Sequence, residues 1–130
     1  MMERKLFAAG VLLLCLCQTA SAGDARFSKQ YSDCMDRSQG VTVNMHDCIA
    51  AETKRQDDRL NRAYKKLMAQ LTPERKKRLK AAQLAWIKFR DENCSFYADP
   101  DGGTMAGLAA GDCYLSATAS RAKELEDMMQ

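Results

Sequence analysis

Two groups of polar and aromatic side chains lie on otherwise apolar faces of predicted helices. Spacings of three, four and seven residues put each group on one helix face, and the groups are Asp57, Asn61 and Tyr64, and Gln83, Trp86 and Arg90. A functional interpretation makes Asp57 and Arg90 a catalytic or ligand-binding pair. A structural interpretation is favoured, because buried charges need partners and Arg is the usual bidentate partner. The six residues are therefore predicted to form a buried polar network that fixes the register of two antiparallel helices.

Catalytic chemistry has little support elsewhere in the sequence. A nucleophile needs an activating base, and the only histidine, His46, lies near a predicted disulfide cysteine. The sequence has neither a glycine-rich phosphate loop nor the spacing of a metal site. We therefore expect a protein that is not an enzyme, with no catalytic residues, no bound metal and no cofactor.

Cysteines give a stronger chemical signal. Beyond the first 22 residues the chain contains four of them: Cys34, Cys48, Cys94 and Cys113. An even number in an exported chain favours disulfides, and a zinc site is disfavoured because there is no Cys-x-x-Cys and a single histidine. Of the three pairings, Cys34–Cys48 with Cys94–Cys113 is preferred, because each pair then brackets one predicted turn between helices. Each bridge would stabilise the fold by about 3 kcal/mol on the chain-entropy model.

Residues 1–22 are typical of a cleavable signal peptide. Residues 1–5 carry a net positive charge, residues 6–17 carry none, and Ala20 to Ala22 supply the small residues of a cleavage site. The apolar run is shorter than the roughly 20 residues that a transmembrane helix needs. Lipidation is disfavoured because Cys15 and Cys17 each follow a leucine rather than a small residue. We predict cleavage after Ala22, a periplasmic or secreted protein, and a mature domain of residues 23–130 with no membrane span.

Helical periodicity runs through the mature chain, without the sustained alternation that is typical of strands. Helices are predicted over residues 25–38, 43–71, 73 to 94–97, and 104–128. Thr72, Pro73 and Glu74 supply the N-cap, the first position and an acidic first-turn residue of the third helix, and Thr104 is the expected cap of the fourth. The predicted fold is a small all-α domain of four helices with a long antiparallel central hairpin and two disulfides.

Charge is segregated along the chain. Residues 54–90 carry 13 basic and 3 acidic side chains, whereas the rest of the mature chain carries 5 basic and 13 acidic ones. The densest basic cluster flanks the turn of the predicted hairpin: Lys65, Lys66, Arg75, Lys76, Lys77, Arg78 and Lys80. An exported protein rarely meets nucleic acid, so no nucleic-acid partner is expected. The cluster is either a solvated helix face or a weak contact for an anionic envelope surface.

An acidic and aromatic segment follows the predicted third helix. Its carboxylates lie beside two aromatic residues on a loop that one disulfide would hold, and such a surface suits a basic protein partner. The candidate partner-binding loop contains Phe96, Tyr97, Asp99, Asp101 and Asp112. The alternative is an ordinary polar loop whose two rings pack back onto the core.

The order of these residues resembles the LprI-type lysozyme inhibitor family over nearly all of the mature chain. Its most specific part is Gln83-x-x-Trp86-x-x-x-Arg90-Asp91-x-x-Cys94, accompanied by Asp57-x-x-Leu60-Asn61-x-x-Tyr64 and Thr118-x-x-Arg121. The resemblance implies an all-helical, disulfide-bonded protein of the bacterial envelope that binds and blocks lysozyme. It assigns no inhibitory residues, because the shared motif looks structural.

Two functional hypotheses follow. In the first, the acidic loop occludes the cleft of a basic lysozyme without covalent chemistry, because opposite charge attracts the loop and repels the basic cluster. In the second, the same scaffold is a periplasmic interaction or immunity protein for another partner.

Overall fold

A computed structural model describes residues 26–129, which form four α-helices. They are α1 (Lys29–Ser38), α2 (Thr42–Gln70), α3 (Pro73–Phe96) and α4 (Gly103–Asp127). Within the described residues there is no strand, and the predicted all-α class is confirmed. No helix in this part of the chain is long and apolar enough to cross a membrane. The predicted signal peptide lies outside the described residues.

Side chains cap the N-termini of α1 and α3, but not those of α2 and α4. The Thr72 hydroxyl accepts a hydrogen bond from the Arg75 amide at 3.4 Å, with Pro73 at the first helical position, as predicted. The predicted cap of α4 is wrong: Gly102 is the N-cap and makes no side-chain bond, and Thr104 already lies inside the helix. The reason is a turn closed by the Gly102 amide, which donates to the carbonyl of Asp99 at 3.0 Å, so that α4 starts directly after it.

Both predicted disulfides are confirmed. Cys34 bonds to Cys48 with a Cα–Cα distance of 5.7 Å, and Cys94 bonds to Cys113 with a Cα–Cα distance of 5.5 Å. The first bridge joins the short α1 to α2, and the second joins the end of α3 to α4. The two bridges therefore attach the outer helices to the rest of the domain.

The central helix of the domain is α4. Its most deeply buried side chains have no exposed surface: Leu115, Thr118, Ala119, Ala122 and Leu125. It packs most extensively against α2 and also contacts α3. Two apolar clusters fill the interface with α2, one around Ile49, Leu108 and Leu115 and one around Leu60, Leu67 and Leu125. Burial of each such leucine stabilises the fold by about 2–3 kcal/mol.

Contacts along α4 give the direction of its neighbours. Residues near the start of α2 lie beside the start of α4, and Arg59 farther along α2 pairs with Glu126 near the end of α4. Helices α2 and α4 are therefore parallel. Helix α3 lies between them in the sequence and runs antiparallel to both, which is consistent with the predicted α2–α3 hairpin. Glycines let α2 and α4 approach closely: a Cβ at Gly107 would lie 3.2 Å from the His46 ring, and one at Gly111 would lie 3.3 Å from Ile49.

Candidate functional site

The loop between α3 and α4 presents two exposed aromatic rings. Phe96 is 83% exposed and Tyr97 is 47% exposed, and their ring centroids are 5.9 Å apart in an edge-to-face arrangement. The Cys94–Cys113 disulfide lies two residues before Phe96 and fixes the base of the loop. The rings therefore pack on each other at the surface rather than on the core.

A compact turn shapes the rest of this loop. The Asp99 carboxylate accepts a hydrogen bond from the Asp101 amide at 2.9 Å. Gly102 allows the turn to close on α4, because a Cβ there would lie 2.7 Å from the Cβ of Ala106. Gly103 has φ +62°, a left-handed conformation that favours glycine. These local bonds order the loop before any partner binds.

The carboxylates predicted for the loop lie in two places, because Asp99 and Asp101 follow α3 whereas Asp112 lies inside α4. Asp99, Asp101 and Asp112 are all exposed, and none is within ion-pair distance of a cation among residues 26–129. Burial raises the pKa of Tyr31 on α1, and the nearby Asp112 carboxylate raises it further. The negative field of Asp112 thus extends to the α1 side of the molecule. This end of the protein carries uncompensated negative charge beside apolar surface.

A stack of aromatic rings and guanidinium groups joins α3 to α4. The Arg90 guanidinium lies 4.2 Å from the Tyr114 ring centroid and 4.9 Å from the Trp86 ring centroid, so it is held between them. Arg121 on α4 approaches the same Trp86 ring at 5.9 Å. The Arg121 Nε donates to the side-chain amide oxygen of Gln83, Oε1, at 2.9 Å. The α3 face thus makes its polar contacts with α4.

Asp91 completes this contact. The Tyr114 hydroxyl donates a short hydrogen bond to the Asp91 carboxylate, and Arg90 donates to both groups. The bond from Tyr114, with help from Arg90, holds the pKa of Asp91 below its usual range. Burial and the bond to Asp91 raise the pKa of the Tyr114 hydroxyl. Both shifts favour a neutral Tyr114 hydroxyl that donates to an ionised Asp91 carboxylate.

The six residues of the predicted polar network surround one groove between α2 and α3. They line a cavity of about 270 Å³, and a second cavity of about 500 Å³ continues from it along α2 and α4. Asp57 and Arg90 border both cavities, but no ion pair joins them. Asp57 instead accepts from Asn61 on its own helix at 3.1 Å, and both side chains are exposed, so the α2 part of the predicted network is not buried. Helical periodicity suggested an Asp57–Arg90 pair, but Tyr114 and Asp91 lie nearer to Arg90 and take its hydrogen bonds.

The most buried polar group was missed by the reasoning from periodicity. Glu52 on α2 has no exposed surface, and its carboxylate accepts hydrogen bonds from the Ser28 amide and hydroxyl at 2.8 and 2.6 Å. Arg55 and Gln56 donate to it at 2.6 and 2.7 Å. Burial raises the pKa of Glu52, but these bonds together outweigh it and leave the pKa below its usual range. The only sign of this buried carboxylate in the sequence is a gap in the apolar stripe of α2 between Ile49 and Leu60.

Among residues 26–129, few other side chains are placed for metal binding or for histidine chemistry. His46 packs against Gly107, and no three His, Cys, Asp or Glu side chains among residues 26–129 are grouped to hold a metal ion.

The chain is similar to a known protein family. The profile of the family described as "Lysozyme inhibitor LprI" matches residues 34–125. The chain belongs to the LprI family. The chain is also similar to "Uncharacterized protein R02472" of Rhizobium meliloti (strain 1021), with 28% identity over 95% of both chains. No solved structure matches the chain.

The α3 motif through which the chain resembles the LprI family has a structural role in this fold. Gln83, Trp86, Arg90, Asp91 and Cys94 all contact α4, through Arg121, Tyr114 and Cys113. The motif therefore encodes the attachment of α3 to α4. Two disulfides and the family together indicate an extracytoplasmic protein.

Proposed function

We propose that this protein is an exported inhibitor that binds a basic lysozyme through the loop between α3 and α4 and blocks the cleft of the enzyme sterically. The observation that carries the proposal is the exposed Phe96–Tyr97 pair among carboxylates without ion-pair partners. Family membership supports a lysozyme as the partner. The binding requires no covalent step and no cofactor.

The energetics of protein interfaces support this loop as the contact. Large aromatic side chains supply much of the binding energy at interfaces, and Phe96 and Tyr97 are available for burial. The Cys94–Cys113 bridge and the turn at Asp99 hold the loop in shape, which lowers the entropy lost on binding. The loop therefore meets two requirements of a tight inhibitor, apolar anchors and preorganisation.

Electrostatics support the same orientation. Lysozymes of the chicken type are strongly basic, so the end with Asp99, Asp101 and Asp112 attracts them. The basic cluster beside the α2–α3 turn repels them, and this repulsion favours approach of the acidic end. Charge thus sets both the orientation and the rate of association.

Export is part of the proposal. Residues 1–22 direct secretion, and cleavage after Ala22 releases a mature chain of residues 23–130 without a lipid anchor. Mass spectrometry of the exported protein tests this directly. We expect a mass that corresponds to Gly23–Gln130 with two disulfides and no added acyl group.

The decisive experiment is a lysozyme inhibition assay with the exported, oxidised protein. The variant Asp99→Asn, Asp101→Asn, Asp112→Asn is expected to raise the inhibition constant by roughly tenfold or more, because it removes three charges that face the partner. Phe96→Ala is expected to weaken inhibition by a similar factor through lost apolar contact.

A matched control changes the same number of charges elsewhere. The variant Asp58→Asn, Glu74→Gln, Asp127→Asn removes three exposed carboxylates that pair with neighbouring cations, away from the loop. It should inhibit as the native protein does. Tight inhibition by the loop variant would rule out the loop, and no inhibition of any lysozyme type at micromolar concentration would favour an interaction protein with another partner.

A further inference from the structure

The end of the molecule opposite the acidic loop carries cations that no carboxylate neutralises. Around the α2–α3 turn, six basic side chains have no ion-pair partner among the described residues: Lys65, Lys66, Arg75, Lys76, Lys77 and Lys80. In contrast, three of the four lysines elsewhere in residues 26–129 pair with a carboxylate four residues later. The turn thus differs from the ordinary charged surface of this protein.

A concave surface with apolar walls lies within this basic end. It has a volume of about 570 Å³ and is formed where α2 ends, α3 begins and α4 ends. Arg75 is its unpaired cation, whereas Arg78 pairs with Glu74 in the same lining. The apolar part of the lining includes Leu67, Leu71, Leu79 and Met128. Met128 is 49% exposed. Cations and apolar surface therefore occur side by side at this end.

We propose that the α2–α3 end of the protein binds a membrane surface rich in anionic phospholipids. Headgroup phosphates neutralise the unpaired lysines, and the apolar concavity accepts the upper part of an acyl chain. A soluble polyanion would satisfy the charges but leave the apolar lining exposed to water. This proposal is independent of the lysozyme contact, because it uses the other end of the molecule.

The geometry gives the bound protein an orientation. Helix α3 has 24 residues and, at 1.5 Å per residue, spans about 36 Å between the basic turn and the acidic loop. A molecule held by its basic turn therefore presents Phe96 and the surrounding carboxylates away from the membrane. Its concentration at the envelope surface rises while the loop stays accessible.

Cosedimentation of the exported, oxidised protein with lipid vesicles tests the proposal. Vesicles of phosphatidylglycerol and phosphatidylcholine in equal parts should bind the protein in about 0.1 M salt, and pure phosphatidylcholine vesicles should not. In about 1 M salt the Debye length falls to about 3 Å, and binding should weaken strongly. Each lysine near an anionic surface raises affinity about fivefold.

Two pairs of variants separate the contributions. Lys65→Gln, Lys66→Gln, Lys77→Gln, Lys80→Gln should weaken vesicle binding more than roughly tenfold. The charge-matched control Lys29→Gln, Lys54→Gln, Lys88→Gln, Lys123→Gln should weaken it much less. Met128→Gln tests the apolar concavity without a change of charge, and Met105→Gln, which alters an exposed methionine near the start of α4, is its control.

Several outcomes would overturn the membrane proposal. They are absence of binding to anionic vesicles, equal losses for the two lysine variants, and equal losses for the two methionine variants. Binding to soluble polyphosphate as tight as binding to vesicles would identify the ligand as a soluble polyanion instead. The variant Lys65→Gln, Lys66→Gln, Lys77→Gln, Lys80→Gln should not weaken inhibition of soluble lysozyme, because it leaves the acidic loop intact and removes charges that repel a basic enzyme. Failure of the membrane proposal is therefore distinguishable from failure of the proposed function.

Discussion

At the level of single residues, Glu52 is predicted to make the stability of the fold depend on pH. Its buried carboxylate accepts four hydrogen bonds, two of them from Ser28 at the start of α1. Those bonds favour the ionised form and lower the pKa of Glu52 below its value in an unfolded chain. Its stabilising contribution is therefore complete above the unfolded pKa of about 4.3 and is lost as the pH falls through the lower folded pKa.

The variant Glu52→Gln tests this linkage. At pH 7 it should lower the free energy of unfolding by about 2–3 kcal/mol, because charged hydrogen bonds are lost around a buried amide. The difference between native and variant proteins should shrink as the pH falls below about 4. Urea unfolding at pH 7 and at pH 3 measures both values. A difference that stays constant with pH would mean that the Glu52 charge contributes nothing.

Arg90 is predicted to act in structure rather than in chemistry. Its guanidinium is held between two rings, and its side chain is 12% exposed. Arg90→Ala should lower the free energy of unfolding by about 2–4 kcal/mol, because Tyr114 and Asp91 lose their shared donor. In a double-mutant cycle with Tyr114→Phe, the coupling should be about 0.5–1.5 kcal/mol. An unchanged melting curve with lost inhibition would instead make Arg90 part of the binding site.

At the level of elements, α3 and α4 differ in their share of the core. Leu115 on α4 has no exposed surface, whereas Phe89 on α3 is 66% exposed. Leu115→Ala should therefore cost about 3–5 kcal/mol through lost contacts and a cavity, and Phe89→Ala less than about 0.5 kcal/mol. Thermal unfolding followed by circular dichroism checks both. Similar melting temperatures for the two variants would contradict the central position of α4.

The helices and their bridges could be predicted from sequence because their signals are local. The start of α3 follows from Thr72 and Pro73, and both disulfides follow from cysteines that bracket turns. The partners of Arg90 could not be predicted in this way, because periodicity gives the face of a helix but not the helix that it meets. The burial of Glu52 could not be predicted for a related reason. The buried stripe of a helix is expected to be apolar, and only the folded chain brings the hydrogen-bond donors of Ser28 to the Glu52 carboxylate.

At the level of the whole molecule, charge is divided between two ends. Carboxylates without ion-pair partners lie around the loop at Asp99, and cations without partners lie around the turn at Lys77. Salt should therefore slow the association of the acidic end with a basic lysozyme more than it speeds dissociation. Stopped-flow measurements between about 0.02 and 0.5 M salt should show a fall in association rate of roughly tenfold. A rate that is independent of salt would exclude electrostatic steering.

The place of α4 at the centre of the fold also sets the order of events when the chain is made. Its contacts with α2 join residues far apart in sequence: Arg59 and Glu126 are separated by 67 positions. Until α4 has emerged, Leu60 and Leu67 lack the surface against which they pack, so a chain that ends before Gly103 should show no cooperative unfolding transition. Folding is thereby deferred until the last helix is available, so the N-terminal helices of a growing chain wait for the C-terminal part.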